Sequence, residues 1–462
     1  MNVTIIGAGY VGLTTGAALA YVGHDVTLVD KNQALVDRLN AGEPTIHEPG
    51  LQELISLAAD RIHVTTDLPN LDGHGVVMLA VGTPPKDNGD ADLRYVDVAA
   101  QEIGERLQPG ATVTVVNKST VPVGSALHVQ GILERTLRRR GLDSVPVRIA
   151  SNPEFLAEGR AVLDSLYPDR IVIGTEAPEA AATLRELYAP LLEQTFEPPP
   201  GAPRPERLPL PPMITTTPTS AEVTKYAANA FLATKISFIN EFAGLAERVG
   251  ADITEVARAI GLDDRIGGRY LHAGIGWGGS CFGKDTAAIL ATADTYGYRM
   301  PIVEAAVGVN RDARLRVVER LQDDLKVLRG RTIGLLGLAF KGNTDDVRDA
   351  PALTLIEHLT ERGAVVKVHD PIAMPSMQRD HAGLPVEYAA SERELAEGCD
   401  ALVVVTDWDA YRTLPLKDLA DVMKGDLLLD ARNLIDARTA EAAGLRYVGV
   451  GRAAPAAEVA PV

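Results

Sequence analysis

The chain has 462 residues, more than one hydrophobic core usually organises, so two or three domains are expected. At 46% hydrophobic and 23% charged it has the composition of an ordinary globular protein, which excludes a disordered chain, a collagen and a coiled coil. A net charge of −17 leaves no broad positive footprint for phosphate backbones and argues against nucleic acid as a partner.

Residues 2–6 are a short β-branched run, followed by Gly7, Gly9 and Gly12 in the pattern G-x-G-x-x-G. A helix-like stretch covers about 11–22, Gly23 stops it, and 25–29 reads as a second strand ending at Asp30. Continuous apolar runs at 75–81 and 111–116, with 147–150 and 170–174, read as further strands covered on both faces. Strands alternating with helices predict a doubly wound α/β domain over residues 1–196. Arg138-Arg139-Arg140 falls in a helix-like stretch and reads as a solvated face. Residues 197–212 are rich in proline, which excludes a regular helix or a central strand and predicts a surface loop or linker.

The region 213–328 reads as all-helical. Thr219 and Glu222 have the spacing of a capping box that opens a long helix to about residue 249. Further helices are predicted at about 253–260, 286–296 and 302–328. A second α/β pattern fills 329–452, with strands at 332–337, 365–368, 401–405, 427–429 and 447–450. Its first glycine turn lacks the G-x-G-x-x-G spacing, so a nucleotide-type site is expected there, not a second dinucleotide cradle. The tail, 453–462, is rich in Ala and Pro and is predicted to be flexible. The expected architecture is therefore α/β: two Rossmann-like domains with a helical domain between them in sequence.

Two cysteines far apart, Cys281 and Cys399, form no disulfide framework, which fits a reducing compartment. No apolar run approaches the ~18 residues of a membrane helix. The N-terminus has no basic region ahead of its first apolar stretch. A cytoplasmic location with no membrane span is expected.

Four groups of residues point to chemistry. Gly7, Gly9 and Gly12 follow a strand, open a helix and are answered by Asp30 at the end of the next strand, the context in which this turn cradles a pyrophosphate. Asp30 favours a ribose hydroxyl and repels a 2′-phosphate, so NAD is expected over NADP, although Lys31 beside it leaves NADP open. Lys225 and Asn229 stand four apart on one helix face. They read either as a snorkelling lysine and a satisfied amide or as donors to a developing oxyanion. Between Gly274 and Asp285 five glycines surround Cys281. Such density suggests close approach of backbone to a ligand, and a cysteine at a helix start has its thiolate favoured. Asp285 follows one turn later. Cys399 reads as a buried, inert thiol. Finally, Arg265, Arg269, Lys341, Arg348 and Arg432 suit an anionic substrate, with plain surface charge as the alternative for any one of them.

Six segments carry a resemblance. Gly7-Ala8-Gly9-Tyr10-Val11-Gly12-Leu13, Ser119-Thr120-Val121-Pro122-Val123-Gly124, Asn152-Pro153-Glu154-Phe155-Leu156, Pro168 through Gly174, Lys225 through Asn229, and Gly278 through Asp285 together resemble the UDP-glucose/GDP-mannose dehydrogenase family. The likeness runs in order over the chain to about residue 450. It implies an NAD-dependent four-electron oxidation of UDP-glucose at C6 to UDP-glucuronate, with Cys281 forming first a thiohemiacetal and then a thioester. Glu154 would act as base in hydrolysis with Thr120 holding the water, Asp285 and Lys225 would handle the first proton and its charge, and Lys225 and Asn229 would stabilise the oxyanion. On the cofactor side the resemblance implies Gly7, Gly9, Tyr10, Val11, Gly12, Asp30, Thr83, Thr120, Glu158, Lys284 and Arg348. For the sugar nucleotide it implies Glu154, Phe155, Leu156, Lys225, Asn229, Tyr270, Gly274, Gly278, Lys341 and Arg432, with Arg265 reaching across a homodimer, or a higher homo-oligomer, built on the long helix. No metal is implied. Trp277 and Gly283 stand where the family often has a smaller aromatic and a proline.

Three other readings compete. One is the same chemistry on GDP-mannose or a UDP-N-acetylhexosamine. Another is a one-step hydroxyacid dehydrogenase of similar layout that uses Lys225 and Asn229 without a thiol. The last is a non-catalytic NAD-binding or assembly protein.

Overall fold

The computed structural model describes residues 1–86 and 89–452; the predicted flexible tail, 453–462, lies outside the described residues. The chain forms two compact units, Met1–Ala228 with Ala287–Tyr298, and Asn229–Thr286 with the chain from Arg299 onward.

In the first unit, β1 (Asn2–Ile6), β2 (Asp25–Val29), β3 (Ile62–Thr65), β4 (His74–Leu79), β5 (Thr112–Asn117), β6 (Arg148–Ser151), β7 (Ile171–Gly174) and β8 (Met213–Thr216) form one sheet in the order β3-β2-β1-β4-β5-β6-β7-β8. The pairings are parallel except for a single antiparallel contact between β6 and β7, Ser151 opposite Gly174. Val3, Ile5, Val26, Leu28, Val76 and Met78 from the strands pack with Leu13, Ala17, Leu184 and Leu187 from covering helices, all at most 1% exposed. This is the doubly wound layout that continuous apolar strands predict.

Two strands of this unit escape sequence reading. The edge strand β3 is short and only half-buried, so it has no apolar run to mark it. Met213–Thr216 falls where an all-helical region is expected; it adds to the sheet as β8 because its β-branched residues pair with β7. The proline-rich segment 197–212 contains neither helix nor strand. It folds back on its own unit, where Ala202 is buried and its carbonyl accepts from the Tyr167 hydroxyl at 3.0 Å.

The long helix, Pro218–Val249, is capped two residues before the position that the capping-box reading assigns. Thr217 is the cap: its Oγ1 accepts from the Ser220 amide at 3.2 Å, and proline fills the first helical position. Glu222 is therefore free of capping duty in its own helix. Its carboxylate accepts from the Gly124 and Ala126 amides at 2.6 and 2.9 Å and from the Ser151 hydroxyl at 3.1 Å, closing the start of helix Ser125–Arg139.

In the second unit, β9 (Thr332–Leu336), β10 (Val365–His369), β11 (Val386–Tyr388), β12 (Ala401–Val404), β13 (Leu427–Asp430) and β14 (Arg446–Gly449) form a parallel sheet in the order β11-β10-β9-β12-β13-β14. Helices Ile253–Gly261 and Pro301–Leu325 precede it. Asp370, placed after β10 as Asp30 is after β2, accepts from the amides of Leu338, Ala339, Ile372 and Ala373 and from the Trp408 indole, at 2.7–3.0 Å. Its lone pairs are taken up by protein donors from the segments after β9, β10 and β12.

Glu222→Ala leaves the half-buried Gly124 amide, the buried Ala126 amide and the Ser151 hydroxyl without their acceptor. A loss of about 1–3 kcal/mol in unfolding free energy is expected, read by urea denaturation, with Glu222→Gln losing less because one carbonyl oxygen remains.

Candidate functional site

The glycine turn of the first unit is built for a close-approaching ligand. Gly7 has φ +100° and its amide donates to the Val29 carbonyl at 2.8 Å. A Cβ at Gly12 would fall 1.8 Å from the Gly7 carbonyl oxygen, and one at Gly7 2.6 Å from that of Ala80. Gly9, in contrast, faces open space, with nothing within 4 Å of where its Cβ would stand. It precedes helix Tyr10–Tyr21, whose N-terminus receives no side-chain cap. A bare backbone at a helix N-terminus is what an anionic pyrophosphate needs. Asp30 is half-buried, with one oxygen on the Ala8 amide at 2.9 Å and the other on the Asn32 amide at 3.0 Å, so each oxygen retains a lone pair for a ribose hydroxyl. Lys31 is paired with Glu102 at 3.0 Å on the surface. The cradle thus fits a dinucleotide with an unphosphorylated ribose.

Tyr10 and Val11 open that helix half-buried. The Tyr10 hydroxyl donates to buried Glu48, whose carboxylate also accepts from the Gly159 and Ala161 amides at 2.7 and 2.6 Å. Glu48 thereby holds the segment that carries buried Glu158. Thr83 donates to the Thr120 carbonyl at 2.7 Å, which leaves the half-buried Thr120 side chain presented from its own loop.

Beyond β5 and β6 the same unit buries a charge cluster. Lys225 Nζ donates to Glu154 Oε1 at 2.7 Å, with side chains only 4% and 7% exposed. Glu154 Oε2 accepts from the Leu156 amide at 2.7 Å. Burial pushes the Glu154 carboxyl up, but the Lys225 charge and hydrogen bond, the Leu156 amide and the charge of Lys118 outweigh it and hold the group below its ordinary value. Lys118, just past β5, is equally buried; burial and the repulsion of Lys225 bring it down to about 8 against the attraction of Glu154. Phe155 and Leu156 are half-buried beside the pair, with the Arg170 guanidinium 3.8 Å from the Phe155 ring centre.

The second unit carries the thiol. Cys281 is half-buried and stands immediately before helix Phe282–Thr295, and its carbonyl accepts the first intrahelical bond from Asp285 at 2.8 Å. The predicted helix start at about 286 is four residues late, so the thiol sits at the N-cap itself. Asp285 is 1% exposed; its Oδ2 accepts from Asn229 Nδ2 at 2.6 Å and its Oδ1 lies 3.5 Å from Lys284 Nζ. Asn229 is buried too, so the amide–carboxylate pair is dry. Cys399 is the opposite kind of sulfur: fully buried, donating to the Leu395 carbonyl at 2.9 Å, and pushed up to about 11 by burial.

The glycines before Cys281 are required by the protein's own packing. A Cβ at Gly274 would meet the Ala431 carbonyl at 2.4 Å, at Gly276 the Asn310 amide oxygen at 2.3 Å, at Gly278 the Asp349 carbonyl at 2.4 Å and at Gly279 the Phe340 ring at 2.7 Å. The protein's own atoms crowd this loop. Arg432 and Arg314 hold its carbonyls, at Gly276 (3.1 Å) and Trp277 (2.7 Å).

The predicted basic residues divide. Arg432 is half-buried and also donates to the Val405 and Phe340 carbonyls at 2.7 and 3.1 Å. Lys341 is half-buried, 5.5 Å from the Phe340 ring centre, and Tyr270 is half-buried with φ +66° and its ring against Phe282. Arg265 and Arg348 are exposed and chelated by Asp263 and Asp346, two residues away. Lys118 and Glu48 escape sequence reading; a lysine directly after an apolar strand was the available signal for the first. No group of side chains that could hold a metal ion occurs among the described residues.

Residues 1–192, 219–312 and 334–437 match the models of the NAD binding, central and UDP binding domains of the UDP-glucose/GDP-mannose dehydrogenase family. The chain is 42% identical over 456 residues to the UDP-glucose 6-dehydrogenase TuaD of Bacillus subtilis, covering 98% of this chain and 94% of that one. It is 43% identical over 466 residues to the UDP-glucose 6-dehydrogenase of Rhizobium meliloti, covering 98% and 100%. Among solved structures it resembles a UDP-glucose dehydrogenase from the hyperthermophilic archaeon Pyrobaculum islandicum, with a TM-score of 0.84, 37% identity and 98% of each chain covered.

Lys225→Met removes the direct partner of a buried carboxylate, and a loss of about 3–5 kcal/mol at neutral pH is expected. Glu154 is held below its ordinary 4.5, so the pair stabilises above that value and its contribution fades as pH falls through the lower folded-state value. The gap between wild type and variant in urea melts should therefore be widest at neutral pH and shrink below about pH 4.5.

Proposed function

The chain belongs to the UDP-glucose/GDP-mannose dehydrogenase family, and from that we propose that it oxidises the C6 alcohol of UDP-glucose to the carboxylate of UDP-glucuronate. The observation that carries this reading is the half-buried Cys281 at a helix N-cap, one turn ahead of the dry Asp285–Asn229 pair. A dinucleotide fold alone serves a single oxidation; a thiol so placed serves a second one, because it can hold an aldehyde covalently between the two.

NAD, when bound to the first unit, supplies the hydride acceptor for both oxidations, so two are reduced per sugar. Glycines 7, 9 and 12 cradle its pyrophosphate and Asp30 takes its ribose. Tyr10, Val11, Thr83, Thr120 and Glu158 complete that side, and Lys284 and Arg348 contribute from their own segments. In the first oxidation Asp285 accepts the hydroxyl proton and passes it to solvent, while Lys225 and Asn229 stabilise charge on the oxygen. The Cys281 thiolate, favoured at the positive end of its helix, then forms a C–S bond to the aldehyde carbon, and the oxygen takes a proton to give the thiohemiacetal. Loss of the second hydride and of that proton leaves a thioester. Glu154 deprotonates a water held by Thr120, the resulting hydroxide attacks the thioester carbon, and the C–S bond breaks to return the thiolate and release the acid. Phe155, Leu156, Tyr270, Gly274, Gly278, Lys341 and Arg432 bind the sugar nucleotide.

The domain plan follows the same reading: an NAD domain that includes β8, a helical domain from Pro218 to about residue 328, and a UDP-sugar domain over 329–452. We also read the chain as a homodimer in the cytoplasm; no helix among the described residues is long and apolar enough to cross a membrane. The long helix leaves Phe231, Phe238, Phe242, Leu245 and Val249 between 43% and 66% exposed, at steps of seven, four, three and four residues. That spacing is a single apolar seam suited to a second copy of the helix, beside which Arg265 would reach the partner's site.

Cys281→Ala should bind NAD with unchanged affinity yet form no UDP-glucuronate. The measurement is NADH counted per sugar over a panel of UDP- and GDP-sugars. Two per UDP-glucose is expected of the wild type; one per sugar, or an unaffected variant, points to thiol-free hydroxyacid chemistry. Phe238→Asp should halve the mass seen by light scattering while leaving the far-UV spectrum intact, and an unchanged mass would remove the seam from the interface.

A further inference from the structure

The buried cluster around Glu154 holds one carboxylate and two ammonium groups. Lys225 alone, at 2.7 Å, would neutralise Glu154, yet Lys118 is also buried and feels the charges of both. A second buried ammonium is costly unless something compensates it. The hydrogen-bond partner of Lys118 does not: Nζ donates at 3.2 Å to Asn152 Oδ1, a neutral amide oxygen. That amide is fixed in orientation, because the Tyr188 hydroxyl donates to the same oxygen and Asn152 Nδ2 donates to the Val172 carbonyl at 2.9 Å. Asn152 is two residues ahead of Glu154 on the same segment. Among the described residues, the charge of Glu154 is what holds the Lys118 ammonium up against burial and the repulsion of Lys225.

We propose that Lys118 is a positioning residue for Glu154: its ammonium, anchored on Asn152, keeps the Glu154 carboxylate ionised when the charge of Lys225 is committed to a substrate oxygen. The inference rests on the reading of Glu154 as the base of thioester hydrolysis, a step in which a protonated Glu154 is inert. Lys225 is assigned two duties, partner of Glu154 and donor to an oxyanion, and it cannot serve both fully at once. Glu154 is faced by Lys225 from the long helix, Lys118 from the end of β5 and the Leu156 amide from its own segment, with the Arg170 guanidinium over the adjoining Phe155 ring. Of these only Lys118 is a buried cation without a duty to the substrate. Burial already brings it down to about 8, so it is charged through the neutral range and weakens above it.

The test is the pH dependence of thioester hydrolysis in Lys118→Met, with Lys118→Gln as a second neutral variant that keeps a donor for Asn152. Both should move the acidic limb upward by about one pH unit or more, and Lys118→Arg should restore it. Infrared titration of the Glu154 carboxyl in the substrate-free holoenzyme, its band identified by difference against Glu154→Gln, should move the same way. A limb and band unmoved in folded Lys118→Gln would overturn the proposal. If Glu154→Gln hydrolyses the thioester at the wild-type rate, the reading of Glu154 as base falls, whereas the infrared band still reports whether Lys118 controls its charge.

Discussion

The placement of Cys281 depends on a loop with no room for side chains. From Gly274 to Gly279 the backbone runs against the Ala431 and Asp349 carbonyls, the Asn310 amide and the Phe340 ring at distances no Cβ tolerates. Asn310 binds both the amide and the carbonyl of Trp277, at 2.7 and 2.9 Å, and Arg314 adds a second donor to that carbonyl at 2.7 Å. Gly276 and Gly279 have φ of +93° and +85°, a region that costs any other residue about 1–2 kcal/mol. The loop therefore has one way to run, and it delivers the sulfur to the first turn of a helix whose Asp285 is already held by Asn229.

Charge supplies the other half of the design. A carboxylate buried without a counterion would take a proton at neutral pH, and with one it stays ionised. Glu154 and Lys225 are buried together, so each sustains the other's charge in a place where water cannot. The same logic separates Asp30 from Asp370. Both end the second strand of a Rossmann-like sheet. One keeps lone pairs for a ligand; the other gives its oxygens to five protein donors, from the segments after β9, β10 and β12. Similar position in the fold does not make similar function; spare hydrogen-bonding capacity does.

Much of this was legible in the sequence because strands covered on both faces are continuous apolar runs, and each such run from β1 to β14 was found within two residues. The elements that escaped, β3, β8 and β11, are three or four residues long and at least half exposed on one side, so no run of apolar residues distinguishes them. Glu222 misled because its spacing from Thr219 matches a local cap, while its acceptors serve another helix ninety-odd positions back in the chain. The glycines near Cys281 stand out in the sequence, but sequence records that a side chain is excluded, not which atoms exclude it. Lys118 is invisible for a related reason, since its importance lies in a neighbour 36 residues further along the chain, Glu154, that only the fold brings near.

The contrast between the two sulfur atoms has a practical side. Cys399 is sealed in the core, bonded to a carbonyl and reluctant to ionise. An electrophilic reagent offered to the folded protein therefore meets a single competitor-free target at position 281. Whatever is attached there, a fluorophore, a spin label or a mass tag, reports from one known address, and the native sequence already has the economy that engineers obtain by deleting surplus thiols.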